Sequence, residues 1–246
     1  MSQGPWFKEW FDTEYYHLLY NKRNDDEAHA FIFGLTNKLN IPAGAKVADI
    51  ACGKGRHSRV LAELGFSVYG YDLSENSIAF AKSQSTPHAQ FFAQDIRDPY
   101  PHQNFNVAFN LFTSFGYFDD PLDDNKCLMN IYEMLKPGGF FIQDYLNGQA
   151  LIDGMPMEGV ELRGDIRFSY KKTWESPFIV KRITVEDNLN QHFYMEKVKV
   201  YSQSSLLDLH IQAGFENVGI YGDYLLNPFN AQISPRIILI CQKPHA

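Results

Sequence analysis

A chain of 246 residues is long enough for one large α/β domain or two small ones, and a hydrophobic content of 45% can fill a sizeable core. With 22 basic against 29 acidic side chains the net charge is -7, and a pI of about 5.6 lacks the electrostatic footprint of a protein that grips phosphate backbones, so nucleic acid is disfavoured as a partner. Cys52, Cys127 and Cys241 are too few and too scattered for a disulfide framework or a zinc site, so no metal is expected and reduced thiols point to a cytoplasmic protein. Residues 1–12 lack the basic start and apolar centre of a leader, and no run approaches the ~18 apolar residues of a membrane span. Neither secretion nor membrane insertion is expected.

Over residues 1–45 the apolar side chains Phe7, Trp10, Phe11, Tyr15, Leu18 and Leu19 recur near helical spacing, which predicts two helices before the sheet. Asn24, Asp25 and Asp26 would open the second, with acids at its positive end. A helical layer packed on the sheet is the plain reading of this aromatic density, and a lid over a binding crevice is the sharper one. Residues 42–46, PAGAK, turn the chain into a first strand. Next come VADIACGKG at 47–55, a helical stretch at 56–64 and SVYGYD at 67–72. This βαβ unit gathers a glycine turn, a helix start and a strand-end acid around one crevice.

Ser74 reads as the N-cap of a helix through Lys82, and residues 89–93 form a short strand that ends at Gln94 and Asp95. Residues 104–110 read as a fourth strand, and 111–118, LFTSFGYF, as a loop too aromatic for an ordinary linker. A helix over 121–135, a KPGG turn at 136–139 and a fifth strand at 140–145 follow, with Asp144, Tyr145 and Asn147 at its end. Alternating strands and helices imply a parallel sheet covered on both faces. From 163 to 201 the period becomes two, in the runs RFSYKKTW, FIVKRITVED and HFYMEKVKVY, which predicts an antiparallel β insertion. Residues 204–213 return to a helix with Gly214 behind it, and strands at 218–221 and 236–241 end the chain.

A dinucleotide turn wants G-x-G-x-x-G, but the third place here is Ser58. Asp49, four residues ahead of Gly53, would repel a pyrophosphate and attract a cation. Both departures disfavour a nicotinamide dehydrogenase and favour a cationic, phosphate-free nucleoside.

With Asp72, Asp95 and KPGG in this order, the chain resembles the class I S-adenosylmethionine-dependent methyltransferases of small-molecule type, from about Lys46 to the C-terminal hairpin. The resemblance implies an α/β fold: a Rossmann-like, seven-stranded, mostly parallel sheet with a reversed last strand, helices on both faces, and a small antiparallel β insertion. The expected division is N-terminal helices at 1–45, a cofactor-binding domain at 46–150 and 203–246, and an insertion at 155–202 over the substrate side. The implied cofactor is S-adenosyl-L-methionine. Asp49, Ala51, Gly53 and Gly55 would form the turn against its methionine part, and Asp72 would accept both ribose hydroxyls. Leu73 would flank the adenine, Asp95 and Ile96 would read its amino edge, and Asn110 would lie beside the sulfonium.

Methyl transfer from a sulfonium is an in-line displacement, so a dry aromatic pocket that holds near-attack geometry can supply most of the acceleration. Phe115, Tyr117 and Phe118 are candidate walls, as are Tyr16 and Tyr20 on a lid. Asp144, His57 and Tyr117 are the candidate catalytic residues, with His17, His192 and Tyr145 as further bases and Arg23 and Arg56 as candidates to hold a carboxylate. Residues 110–113 read Asn-Leu-Phe-Thr where family members acting on DNA bases and glutamine carry Asn/Asp-Pro-Pro-aromatic, which lowers those readings. The expected reaction is methylation of a nitrogen or oxygen of a small molecule. A protein or RNA methyltransferase, which needs a basic, open rim, and a non-catalytic cofactor binder stay open, as does a homodimer through the insertion.

Overall fold

Val47, Ala48, Asp49 and Ile50 are all buried, the near-continuous run expected of a strand covered on both faces. They form β1 (Lys46–Ile50) of a computed structural model that describes residues 5–20, 25–188 and 190–245. β1 pairs in parallel with β2 (Ser67–Asp72) on one side and β4 (Phe105–Asn110) on the other, with β3 (Ala89–Ala93) and β5 (Leu135–Leu146) beyond them. β11 (Arg236–Gln242) runs antiparallel to β5 and to β10 (Glu216–Tyr221). The order β10-β11-β5-β4-β1-β2-β3 is the expected seven-stranded sheet with its reversed last strand.

Alternate residues of each strand feed two cores. Ala48, Ile50, Ala108, Leu239 and Cys241 pack with Leu128 and Ile131 of α6 (Pro121–Met134) and Leu206 of α8 (Gln203–Gln212). Val47, Val107, Phe109, Ile238 and Ile240 pack with α3 (Asp25–Lys38), α4 (Arg56–Glu63) and α5 (Glu75–Ser83) through Phe31, Leu61 and Ile78. Ser74 caps α5 by accepting from the Ser77 N–H, and Gly214, at φ +100°, follows α8. A short α7 (Gly148–Ile152) leads from β5 into the insertion.

Three local expectations differ from the structure. Among the described residues α1 (Trp6–Phe11), α2 (Glu14–Leu19) and α3 precede β1, where two helices were expected. Thr13 breaks the run: its hydroxyl accepts from Tyr16 N–H and donates to the Trp10 carbonyl, which restarts the helix. Arg23 and Asn24 lie outside the described residues. Residues 136–139 are not a separate turn but the start of β5, bent at Gly138 (φ +74°), with Leu135 paired to Phe105. The insertion has four strands, β6 (Met157–Arg163), β7 (Ile166–Glu175), β8 (Phe178–Asp187) and β9 (Asn190–Lys199), in that order across the sheet. β6 escapes the pattern because Glu158, Gly159, Glu161 and Arg163 dilute its alternation, as suits an edge strand.

The inner face of this second sheet buries Phe168, Ile183 and Val185 against Trp10 and Leu19, so α1 and α2 pack on it. Its last strand is tied to α6 by Lys199, whose ammonium donates to Asp124 at 2.7 Å, an acid that also accepts from Tyr201 at 2.7 Å. Among the described residues, no helix is long and apolar enough to cross a membrane.

Candidate active site

The turn after β1 and the carboxyl ends of β2, β3 and β4 border a cavity of about 420 Å³, covered by Phe7 and Phe11 of α1, Tyr16 and His17 of α2, and Tyr20. Asp72 stands on its surface with both oxygens engaged: Oδ2 accepts from Gly53 N–H at 2.7 Å and Oδ1 from Ser74 N–H at 2.9 Å. Burial raises the Asp72 pKa, against the pull of these hydrogen bonds. The bonds fix the carboxylate beside the turn, and each oxygen keeps further lone-pair capacity for a ligand.

The two glycines serve different ends. A Cβ at Gly53 (φ +54°) would meet no protein atom within 4 Å, and this residue lines the cavity, so its bare backbone is open to a ligand. At Gly55 (φ +77°) a Cβ would lie 2.9 Å from the Phe91 ring and 3.3 Å from Ala81. Gly55 is therefore the left-handed cap of α4 and a packing glycine, and it does not line the cavity as the resemblance implied. Ala51, also at positive φ (57°), does line it.

Asp49 and Ser58, the two departures from a dinucleotide motif, bond to each other: Ser58 Oγ donates to Asp49 Oδ2 at 2.6 Å. Burial pushes the Asp49 pKa up to about 7, with the Asp72 charge adding to it and the Ser58 bond opposing it. Asp49 does not border the cavity, so it supports the turn from beneath instead of touching a cation.

Leu73, Asp95 and Ile96 line the cavity next to Asp72. Burial acts to raise the Asp95 pKa, but hydrogen bonds from Arg97, at 2.7 Å to Oδ2 and 3.0 Å to Oδ1, outweigh it and hold it below the usual range. Asn110 is fully buried, its amide donating to the carbonyls of Ile50 (3.2 Å) and Ser114 (3.3 Å). It pins the aromatic loop to the end of β1 and is not on the cavity surface.

The candidate bases are mostly committed elsewhere. Asp144 is fully buried, accepting from Arg236 Nε at 2.6 Å, Phe112 N–H at 3.0 Å and the Tyr224 hydroxyl at 3.1 Å, and it does not line the cavity. The Tyr117 ring lines the cavity, but its hydroxyl donates to the Thr113 carbonyl. Tyr145 is buried and donates to the Lys199 carbonyl, and His192 packs at a tilt against Tyr15 away from the cavity. His57 lines the cavity with Nε2 3.2 Å from Arg56 Nη2. A guanidinium only donates, so Nε2 accepts and the ring proton is on Nδ1. His17 also lines the cavity, its pKa lowered to about 4 by burial and then by the Lys54 charge.

Phe118 joins the wall as expected of that loop, whereas Phe115 packs into the core. Phe7 and Phe11 were legible only as helical spacing, and Phe112 only as part of the aromatic loop. Asp12 carried no signal: it follows α1, accepts from Ser74 Oγ and, at 2.8 Å, from Asn76 Nδ2, and so fastens the helical cover beside Asp72.

The sheet order and the strand-end crevice define a class I methyltransferase fold. Residues 47–139 match the family described as methyltransferase domain. A protein of Geobacillus sp. (strain WCH70) named as a methyltransferase is 25% identical over 67% of this chain and 65% of its own length. The dTDP-3-amino-3,4,6-trideoxy-alpha-D-glucopyranose N,N-dimethyltransferase of Streptomyces venezuelae is 26% identical over 53% of this chain and 55% of its own. The chain thus spans less than two thirds of the length of these relatives. Its fold is similar to that of an S-adenosylmethionine-dependent methyltransferase from Clostridium acetobutylicum ATCC 824, with a TM-score of 0.79, 16% identity, and coverage of 94% of this chain and 96% of that one. Residues 47–139 thus match a methyltransferase-domain family, and the fold around them is that of class I S-adenosylmethionine-dependent methyltransferases.

Proposed function

We propose that the protein transfers the methyl group of S-adenosyl-L-methionine to a nitrogen or oxygen of a small molecule. The observation that carries this reading is the joining of Asp72 and the open side of Gly53 to an aromatic cover within one 420 Å³ cavity. The cofactor would supply an electrophilic methyl group on a sulfonium. Asp72 would hold the ribose hydroxyls, Leu73 and Ile96 would flank the adenine, and the Gly53 backbone would allow close approach. The rings of Phe7, Phe11, Tyr16, Tyr20 and Tyr117 would exclude water and face the positive sulfur. α1 and α2 then act as a lid, held at one end by Asp12 and at the other by Tyr20, whose hydroxyl donates to Glu196 at 2.8 Å and accepts from Lys181 at 2.7 Å.

Positioning supplies most of the rate in this reading. His17 lines the cavity as a neutral imidazole, but burial and the Lys54 charge make it a weak base, and Arg56 holds Nε2 of His57, so the reading suits an acceptor that arrives with a free lone pair. A macromolecular acceptor needs an open rim, and the aromatic cover favours a small one; the similarity to an amino-sugar dimethyltransferase supports this. Free, buried Cys52, Cys127 and Cys241 support a reducing, cytoplasmic setting. Val160, Leu162 and Phe193, exposed on one face of the second sheet, support self-association there. The test is incubation of the protein with methyl-labelled S-adenosylmethionine and a metabolite extract, read by mass spectrometry. A small molecule should gain one methyl group; label found only in protein or RNA would reject the small-molecule acceptor, and cofactor binding without any labelled product would leave a binder without turnover.

A further inference from the structure

A folded protein pairs nearly all of its buried polar atoms, so each exception calls for a reason. Among the described residues one such exception stands on the cavity wall: the Tyr100 hydroxyl, buried and without a hydrogen-bond partner. The other unpaired atoms, such as Asp124 Oδ1, Gln143 Oε1 and His210 Nε2, belong to residues that do not border the cavity. Tyr100 is 4% exposed, and its ring packs edge-on against Tyr71, another lining residue, with centroids 4.9 Å apart. The Tyr71 hydroxyl is itself engaged by His102 Nδ1 at 2.9 Å. Burial raises the Tyr100 pKa well above its usual value, with Cys127, Tyr71 and Asp95 adding to it, so the group is a neutral phenol that can donate one hydrogen bond and accept others. Unpaired, this hydroxyl costs stability that a phenylalanine in the same space would not.

Asp95 and Ile96 follow β3, shortly before Tyr100, and border the same cavity. Asp95 has little capacity left for a ligand: Oδ1 accepts from Arg97 N–H and Nε, both at 3.0 Å, and Oδ2 accepts from Arg97 Nη2 at 2.7 Å. A carboxylate offers about four lone-pair positions, so roughly one stays open, on Oδ2. Arg97 also donates to Asp123 at 3.3 Å and lies over the Phe118 ring, which fixes this arrangement. An amino group at this edge brings two hydrogens, and the second needs another acceptor.

We propose that the Tyr100 hydroxyl shares with Asp95 the recognition of the cofactor's adenine amino group, accepting the hydrogen that Asp95 leaves, and so makes the site select an aminopurine. This rests on the methyltransferase reading above. The hydroxyl gains its partner only when the nucleoside binds, so it contributes to affinity and selectivity and not to the fold. Removing it therefore acts on binding and on unliganded stability in different directions.

The test compares wild type with Tyr100→Phe by calorimetry, using S-adenosylhomocysteine and its analogue in which hydrogen replaces the amino group of the base. Wild type should prefer S-adenosylhomocysteine. Tyr100→Phe should bind S-adenosylhomocysteine about tenfold more weakly than wild type, yet bind the desamino analogue at least as tightly as wild type does. Without ligand the variant should melt no lower than wild type, because no bond within the protein is lost. Equal S-adenosylhomocysteine affinity in the two proteins would overturn the proposal, as would an equal loss for both ligands, which would move the effect away from the amino group. A lower melting temperature of the unliganded variant would also overturn it, by giving the hydroxyl a partner inside the fold. Failure of wild type to bind S-adenosylhomocysteine at all would instead remove the methyltransferase reading, and this assignment with it.

Discussion

Asp144 and Arg236 meet across the antiparallel β5–β11 pair, Nε to Oδ1 at 2.6 Å, and together they hold the loop that follows β4. Arg236 also donates to Thr113 Oγ1 at 2.7 Å, and Asp144 takes Phe112 N–H, so one ion pair fixes two consecutive residues that both have φ near +63°. An acid in this position serves the site through the loop's shape.

Asp144→Asn should therefore act on stability before chemistry. It leaves the guanidinium of Arg236 without its charge partner, and breaking a buried pair in this way costs about 3 kcal/mol. Urea unfolding at pH 7 reads the loss directly. Full stability combined with abolished turnover would contradict this and return Asp144 to the role of base.

The glycines of the turn should separate. Gly55→Ala combines about 1 kcal/mol of left-handed strain with overpacking against Phe91 of about 1–3 kcal/mol, and it should lower the urea midpoint while the folded fraction still binds S-adenosylhomocysteine. Gly53→Ala should cost only about 1 kcal/mol of stability but weaken S-adenosylhomocysteine more than tenfold, because its methyl group enters open space at the cavity. The reverse ranking in calorimetry and unfolding would refute the assignment.

The cover is expected to depend on Asp12. Asp12→Ala removes the acceptor of Ser74 Oγ and Asn76 Nδ2, and the loss of charge-assisted bonds worth about 1.5 kcal/mol should weaken S-adenosylhomocysteine roughly tenfold. Unchanged affinity would leave α1 and α2 as a structural layer only.

Stability should fall on the acid side of neutrality. Burial lowers the His210 pKa to about 4, opposed by its bond to the Leu206 carbonyl, and burial lowers His17 to about 4 as well. In the unfolded chain both titrate near 6.5, so between pH 6.5 and 4 the unfolded state binds more protons and stability drops as pH falls. Asp49, raised to about 7, has the opposite sign: the folded state binds its proton more readily, so it opposes the loss in this window. His210→Leu, set between Phe141 and Phe215, should flatten the decline in urea midpoint between pH 7 and 5. An unchanged slope would rule out His210 as its source.

The sheet was legible because its strands are buried runs between capped helices: Ser74 and Gly214 behave as their local chemistry dictates. The strand-end acids were legible as positions, and Asp72 and Asp95 do border the cavity. What each acid does depends on partners distant in sequence. Asp144 meets Arg236 across 92 positions, and Asn110 is turned inward by the Ile50 carbonyl across 60. Ser58 looked like a lost glycine and is the hydrogen-bond donor to Asp49. The cover was hardest to read, since Tyr20, Glu196 and Lys181 come together from three separate stretches through tertiary contacts that helical spacing does not encode.

The central claim is that Asp72 anchors an S-adenosyl cofactor in this cavity, and thermal unfolding with S-adenosylhomocysteine tests it most directly. Wild type should gain several degrees at saturating ligand, and Asp72→Ala should lose most of that gain, since bonds to two hydroxyls worth about 3 kcal/mol correspond to roughly a hundredfold in affinity. An equal shift in Asp72→Ala, or a shift with NAD and none with S-adenosylhomocysteine, would contradict it.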